Sequence, residues 1–251
     1  MRLRPLPAEF ASTRDTLHRV AAHVLGRRRH QLTGKFGLRA TPGGIGTPAA
    51  GPEHETVRIT GTNLLHERTG AVASTATLDL SGATLREAAA FVEVDVDAPF
   101  SVGRNTPDRR DPDAALAVDP EAAAVLWHWF AFAWRVLDAA VTSLGAEAAP
   151  TVVQLWPEHF DAGCDAASAG GRVNLGASPG DGFSASPYLY VGPWEPERPG
   201  DGAFWNAPFG AALSYDVLLA AADPVATAAS FLRRGWDLMD AAAGVGSPPC
   251  G

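Results

Sequence analysis

The chain has 251 residues, 46% hydrophobic and 19% charged, with a formal net charge of −8. That length and composition suit a folded α+β protein with a sizeable core, not a disordered one. The acidic balance argues against nucleic-acid binding, which needs a concentrated basic surface.

Ser12-x-x-Asp15 has the form of a capping box, with Ser12 as N-cap. Leu17, Val20, Val24 and Leu25 follow at helical spacing, so a helix is predicted from about residue 13 to the arginines, ended by Gly34. The basic run Arg27-Arg28-Arg29-His30 reads as the solvated cationic end of that helix, in preference to an anion site. His18 and His23 stand at i and i+5, on different faces of an α-helix, and make poor co-ligands. A weak strand follows at Lys35 to Thr41, and Pro42 to Pro52 is loop by composition.

Glu55 to Thr60 and Ala71 to Leu80 read as strands. Between them, His66-Glu67 reads as an exposed loop pair. A short helix is predicted to about Phe91, and Val92 to Asp97 alternates as a half-buried strand does. Residues 101–118 read as a long surface excursion rich in Arg, Asp and Pro.

Asp119-Pro120-Glu121 is a strong helix start, with Asp at N-cap and Pro at N1. Trp127, Phe130, Trp134, Leu137, Val141 and Leu144 give that helix a core face ending at Gly145. Strands are predicted at Thr151–Trp156, Arg172–Ala177 and Tyr188–Val191, as an antiparallel meander. Residues 192–210 form a long aromatic-bearing loop, and Asp223-Pro224 opens a last helix. Strands cluster before and after the central helix instead of alternating with helices. The expected fold is therefore α+β, a mainly antiparallel sheet with at least three long helices. The chain reads as one globular unit or as two intimate halves, 1–118 and 119–246, with a loose tail at 247–251.

The two cysteines, Cys164 and Cys250, form no disulfide framework or zinc-ribbon spacing. With no apolar leader at the start, a cytoplasmic location is expected. The apolar stretch Val125 to Val141 carries His128, Arg135 and Asp138 and reads as a buried helix, so no membrane association is expected. The Ala, Gly, Pro and Arg bias suggests a GC-rich bacterial genome. No dinucleotide fingerprint, P-loop or HExxH is present.

Chemistry concentrates in residues 151–206. Glu158, His159 and Asp161 follow a strand interrupted by Pro157. In an extended chain His159 and Asp161 share a face, where the acid can orient the imidazole as a general base. The same two residues are the first choice for a metal, whose presence and identity the sequence leaves open. Trp156, Asn174, Asp181, Tyr190, Trp194 and Trp205 supply the aromatic and polar groups a small-molecule pocket needs. Asp181, between two glycines, equally suits an ordinary turn. Two readings follow. One is a small-molecule-binding protein with hydrolytic or proton-transfer chemistry at the catalytic trio. The other is a non-catalytic interaction or ligand-binding module using the aromatic surface. Cofactor, substrate and oligomeric state are left open.

The stretches Asp119-Pro120-Glu121-Ala122-Ala123, Val153 to Asp161, Ser178-Pro179-Gly180-Asp181, Pro187 to Val191, and Tyr215-Asp216-Val217-Leu218 through Phe231-Leu232 occur in that order. Together they resemble a bacterial family of uncharacterised proteins, a domain of unknown function. The resemblance covers the chain from about residue 119, and residues 41–118 depart from the family pattern. It implies a globular unit and brings no reaction with it.

Overall fold

The computed structural model describes residues 1–241. It is α+β with two antiparallel sheets, and it divides into two compact units. The first unit holds Arg4–Ala131 and Gln154–Asp161; the second holds Met1–Leu3, Phe132–Val153 and the chain from Ala162 on. The tail expected at 247–251, with Cys250, lies outside the described residues. Among the described residues no helix is long and apolar enough to cross a membrane.

In the first unit, α1 (Phe10–Val20) runs through a π-helical turn (Ala21–Gly26) into α2 (Arg27–Thr33). The helix starts earlier than the sequence predicts. Glu9 is the N-cap residue, and Ser12 lies inside the first turn, where its hydroxyl donates to the Glu9 carbonyl at 3.0 Å. Gly34 ends α2 at φ +70°, as its position predicts. The π turn is wider than an α turn, so the residues after it are rotated from their α-helical positions. Arg27 and Arg28 are consequently not a solvated helix end. Arg27 is buried, donates to the Ala98 carbonyl at 2.9 Å and lies over the Phe100 ring, while Arg28 turns onto a buried carboxylate.

The first sheet has the order β1 (Arg39–Thr41), β2 (Gly44–Gly46), β3 (Thr56–Thr60), β4 (Asn63–Arg68) and β5 (Ser74–Asp79), all antiparallel. β2 falls where composition predicts loop. Its glycines permit close approach: a Cβ at Gly44 would lie 1.8 Å from the Ile59 carbonyl oxygen. β4 corrects a second expectation, because His66 is a buried strand residue opposite Val57, not a loop histidine. After β5, α3 (Leu85–Phe91) opens on a capping box between Thr84 and Glu87. The predicted strand at 92–97 does not form. Val92, Val94 and Val96 are buried as the alternation requires, but Glu93 sits at φ +60° and breaks the extended run.

α4 (Pro120–Leu144) matches its predicted start and length, and the Asp119 carboxylate accepts from the Ala122 amide at 2.8 Å. Its burial is broader than one face. Trp129, Phe132, Ala133 and Val136 are buried as completely as Phe130 and Leu137, whereas Trp134 is only half-buried. A helix that is apolar nearly all round belongs inside a structure, not on it. β6 (Gln154–Trp156) is shorter than predicted, and its Leu155 exchanges two backbone hydrogen bonds with Leu38, 2.7 and 2.9 Å.

The second unit carries an antiparallel meander of β7 (Asp161–Ser168), β8 (Gly171–Ser178), β9 (Tyr188–Pro193) and β10 (Ala211–Ser214), neighbours in that order, in which β8 and β9 are the strands predicted at Arg172–Ala177 and Tyr188–Val191. β7 and β10 were not foreseen: Ala162-Gly163-Cys164 and Ala211-Ala212 are small residues with weak strand propensity, paired here by their neighbours. α5 (Tyr215–Ala220) starts on Ser214, and α6 (Pro224–Asp240) starts on Asp223, whose carboxylate accepts from the Val225 and Ala226 amides. α6 lies on the sheet face that carries Val191. There Gly235 allows contact, and the Trp236 indole donates to the Ala167 carbonyl at 3.0 Å.

Candidate functional site

The segment Trp156 to Asp161 does not stay extended. Pro157 stops β6, and the His159 and Phe160 amides both donate to the Trp156 carbonyl, closing a turn that puts Phe160 at φ +57°. The turn docks on the first helix. The Pro157 carbonyl lies 3.0 Å from His18 Nε2, Phe160 stacks on the His18 ring, and Pro157 fills the space that a Cβ at Gly26 would occupy. Phe160 also meets Phe130 edge-on at 5.3 Å.

This geometry removes the extended-chain premise on which the sequence grouped the trio. His159 is 52% exposed, with Nε2 3.9 Å from Glu158. The Glu158 carboxylate accepts from the Asn105 amide at 2.8 Å and braces the Gly103 loop. Asp161 is 8% exposed. With a positive φ between them, His159 and Asp161 do not meet the extended-chain condition for sharing a face. Among the described residues no group of three or more His, Cys, Asp and Glu side chains could hold a metal ion. His18 and His23 likewise have separate partners, the Pro157 and Pro107 carbonyls.

The aromatic and polar residues of the second unit fall into three settings. On the sheet face bearing Tyr188 and Tyr190, the Trp194 indole donates to Asn174 Oδ1 at 2.8 Å, Arg172 lies over the Trp194 ring, and Trp194 stays 59% exposed. Tyr190 lies across Gly176, where any Cβ would collide with its ring. Asp181 organises its turn by accepting from the Phe183 and Ser184 amides and from the Tyr188 hydroxyl at 2.7 Å, which is the turn role its flanking glycines suggested. Trp205 folds the 199–205 loop on itself, donating to the Pro199 carbonyl at 2.9 Å and packing against Phe204. Trp156, from the first unit, is exposed. Burial, with Asp165 and Asp138 nearby, pushes the Cys164 thiol up to about 12, too high for a nucleophile at neutral pH.

The most concentrated charge lies elsewhere in the first unit. Glu55 is 5% exposed, yet ionised. Burial pushes its carboxyl up, but the Arg28 guanidinium beside it, with His66, outweighs that and holds it at about 2. Arg28 grips Glu55 as a fork, Nε to Oε1 at 2.7 Å and Nη2 to Oε2 at 2.8 Å. His66 Nε2 lies 3.1 Å from Glu55 Oε2. Arg68 reaches Glu55 at 3.4 Å. Glu93 bridges both arginines, accepting from Arg28 Nη2 at 2.9 Å and Arg68 Nη2 at 2.7 Å.

This network opens on a cavity of about 320 Å³ lined by Arg28, Leu32, Pro52, Glu53, Glu55 and Arg68, with Ala50 and Gly51. The sequence carried a signal for it. Glu55-x-Val57-x-Ile59 and Leu64-x-His66-x-Arg68 alternate in step, so an acid, an imidazole and a guanidinium occupy inward strand positions. No family model, curated protein or solved structure matches the chain.

Proposed function

We propose that this chain binds a small polar molecule in the cavity beside Arg28, Glu55 and Arg68. One observation carries the reading: a buried, oriented charge network faces a cavity of about 320 Å³ instead of packed core. Burying charge is costly unless every partner is in place, and pockets with a few fixed polar groups among apolar walls are the common form of small-molecule sites. That volume is at the small end of the usual range. Leu32, Ala50 and Pro52 give apolar wall.

The hydrolytic expectation at Glu158, His159 and Asp161 gains no support from a half-exposed imidazole and a buried acid, so the reading is of binding without an assigned reaction. The test is a thermal-shift screen of a metabolite library on the chain and on Ala50→Trp, which fills the cavity. A compound that raises the melting temperature of the chain but not of the variant supports the proposal. Ligands that stabilise both equally, or no stabilising compound at all, would sink it.

A second reading has its own observation. Trp194 is mostly exposed, its indole N–H is engaged by Asn174, and its ring face is left as the contact surface. In that reading the sheet face of the second unit, with Arg172 over one side of the Trp194 ring, is a non-catalytic interaction or ligand-binding surface. Loss of binding in Trp194→Ala, with Ala50→Trp unaffected, would favour it over the cavity.

A further inference from the structure

We infer that the cavity beside Arg28 and Arg68 takes a ligand with an oxyanion group, a carboxylate or a phosphate, and that Glu93 competes with that group for the same two guanidiniums. The inference rests on the binding reading above and names the ligand's chemistry.

The donor inventory points to an anion. A guanidinium has five N–H donors and no acceptor. Arg28 uses Nε and Nη2 on Glu55 and Glu93, and Arg68 uses the same two nitrogens on the same two acids. Nη1 of each has no protein acceptor among the described residues, and both arginines line the cavity. The acceptor side is filled. Both Glu55 oxygens are taken by the Arg28 fork, with His66 and Arg68 against Oε2. A cationic ligand would have to displace a guanidinium already in place, whereas an oxyanion would meet the Nη1 group of each arginine. Glu53, exposed on the cavity wall, opposes a second negative charge. The fitting ligand is thus a small molecule with one oxyanion and an uncharged or donor-bearing remainder.

Glu93 makes the site exchangeable. Its carboxylate bridges Arg28 and Arg68 as a ligand carboxylate would, yet its side chain is 58% exposed while that of Glu55 is 6% exposed. Rotating Glu93 into water costs little, because its carboxylate is already largely hydrated. The Glu55–Arg28 pair is too deeply buried to open in the same way. The two carboxylates therefore divide the work, one fixing the guanidiniums and the other offsetting, from their Nη2 side, the positive charge an anion would meet. The left-handed backbone at residue 93 places that second carboxylate at the end of α3, beside the strand arginine.

The test uses four probes on the full chain, followed by amide chemical shifts and calorimetry. Benzoate, benzamide and benzamidine share one shape and carry charges of minus one, zero and plus one, and inorganic phosphate separates the two oxyanion sources. The expected result is saturable binding of benzoate or phosphate, with benzamide and benzamidine weaker by roughly tenfold or more. Arg68→Gln, at a partly exposed position, weakens the anion by roughly tenfold, with circular dichroism and the melting curve showing that it folds. Glu93→Gln tightens it by about threefold, because the competing charge is gone. Equal or tighter binding of benzamide or benzamidine overturns the inference and leaves the binding reading standing. Weaker anion binding in Glu93→Gln overturns the competition. If no probe binds while the library screen yields a cavity ligand, the oxyanion inference alone falls; if neither binds, both fall.

Discussion

Phe160 lies flat on His18, ring centroids 5.1 Å apart and planes 6° from parallel. The contact joins the turn after β6 to the first helix, and it explains why a histidine there stays neutral. Burial lowers the His18 imidazole to about 4, although the Pro157 carbonyl and Asp15 pull it upward and Arg14 adds to the lowering. Phe160→Ala removes that cover. The substitution is expected to cost about 3–5 kcal/mol in urea denaturation, the usual range for a fully buried phenylalanine. In the folded variant, the His18 pKa read by NMR should move up toward the ordinary histidine value. A cost below ~1 kcal/mol would show that the turn is not held by this ring.

Two separate limbs of acid destabilisation follow from His18 and Glu55. A histidine whose folded pKa is depressed contributes stability that is complete above its unfolded value of roughly 6.5. That stability is lost as pH falls from there toward 4, because the unfolded chain takes the proton first. His23, also lowered by burial, acts in the same direction. Glu55 is the depressed-acid case: its contribution is complete above the unfolded carboxyl value of roughly 4.3 and is lost as pH falls toward 2. Urea midpoints measured from pH 8 to pH 3 should therefore fall in two stages. His18→Gln should flatten the upper stage and leave the lower one. An unchanged upper stage in that variant would remove His18 as its source.

Glu55→Gln tests the network itself. The amide keeps the size but leaves the buried Arg28 fork without its counter-charge. Breaking a buried pair from one side costs about 3–5 kcal/mol. Arg68→Gln, at a more exposed guanidinium held mainly by Glu93, is expected to cost no more than about 1 kcal/mol. The contrast is checked by chemical denaturation of the two variants side by side. Equal costs would mean that Glu55 and Glu93 anchor the arginines to the same degree.

His159 was the residue the sequence singled out most strongly, and its exposure predicts little effect when it is removed. His159→Ala should change stability by no more than about 0.5 kcal/mol, the usual result for a surface substitution. Ligand binding in the cavity beside Arg28 should be unchanged, since His159 does not line it. A loss above ~2 kcal/mol would show that the imidazole holds the turn.

Which parts were legible follows from how local each signal is. Asp119-Pro120, Asp223-Pro224 and Gly34 are contained within one helical turn, and all three stand where the sequence puts them. The π turn at Ala21–Gly26 packs at Gly26 against Pro157, far along the chain. Neither it nor the inward rotation of Arg27 and Arg28 was readable from a run of basic residues. Val92 to Val96 shows the opposite failure: its alternation correctly marked alternate burial, but a strand also needs a partner, and Glu93 turns the chain away. The Glu158-His159-Asp161 grouping assumed an extended chain, and a positive φ at Phe160 undoes that assumption. The Glu55, His66 and Arg68 cluster was visible only as polar residues in two inward strand registers. That signal gains meaning once β3 and β4 are known to pair.

The second unit offers a test of how closely α6 meets its sheet. A Cβ added at Gly235 would stand 2.6, 2.7 and 3.0 Å from Val191 Cγ2, Cγ1 and Cβ. Two effects compete in Gly235→Ala. Alanine favours a helix interior by about 1 kcal/mol over glycine. Forcing a methyl against a fully buried valine costs about 1–3 kcal/mol, and a β-branched side chain has few rotamers in which to yield. Crowding should win, so Gly235→Ala is expected to lower stability by about 1 kcal/mol. Val191→Ala alone leaves a small cavity and also destabilises, whereas the double variant places the new methyl in the space the valine vacates. A thermodynamic cycle should therefore give a favourable coupling of about 1 kcal/mol, as contacting residues do. Stabilisation by Gly235→Ala alone would mean that α6 stands further from β9 than the contact at Val191 implies.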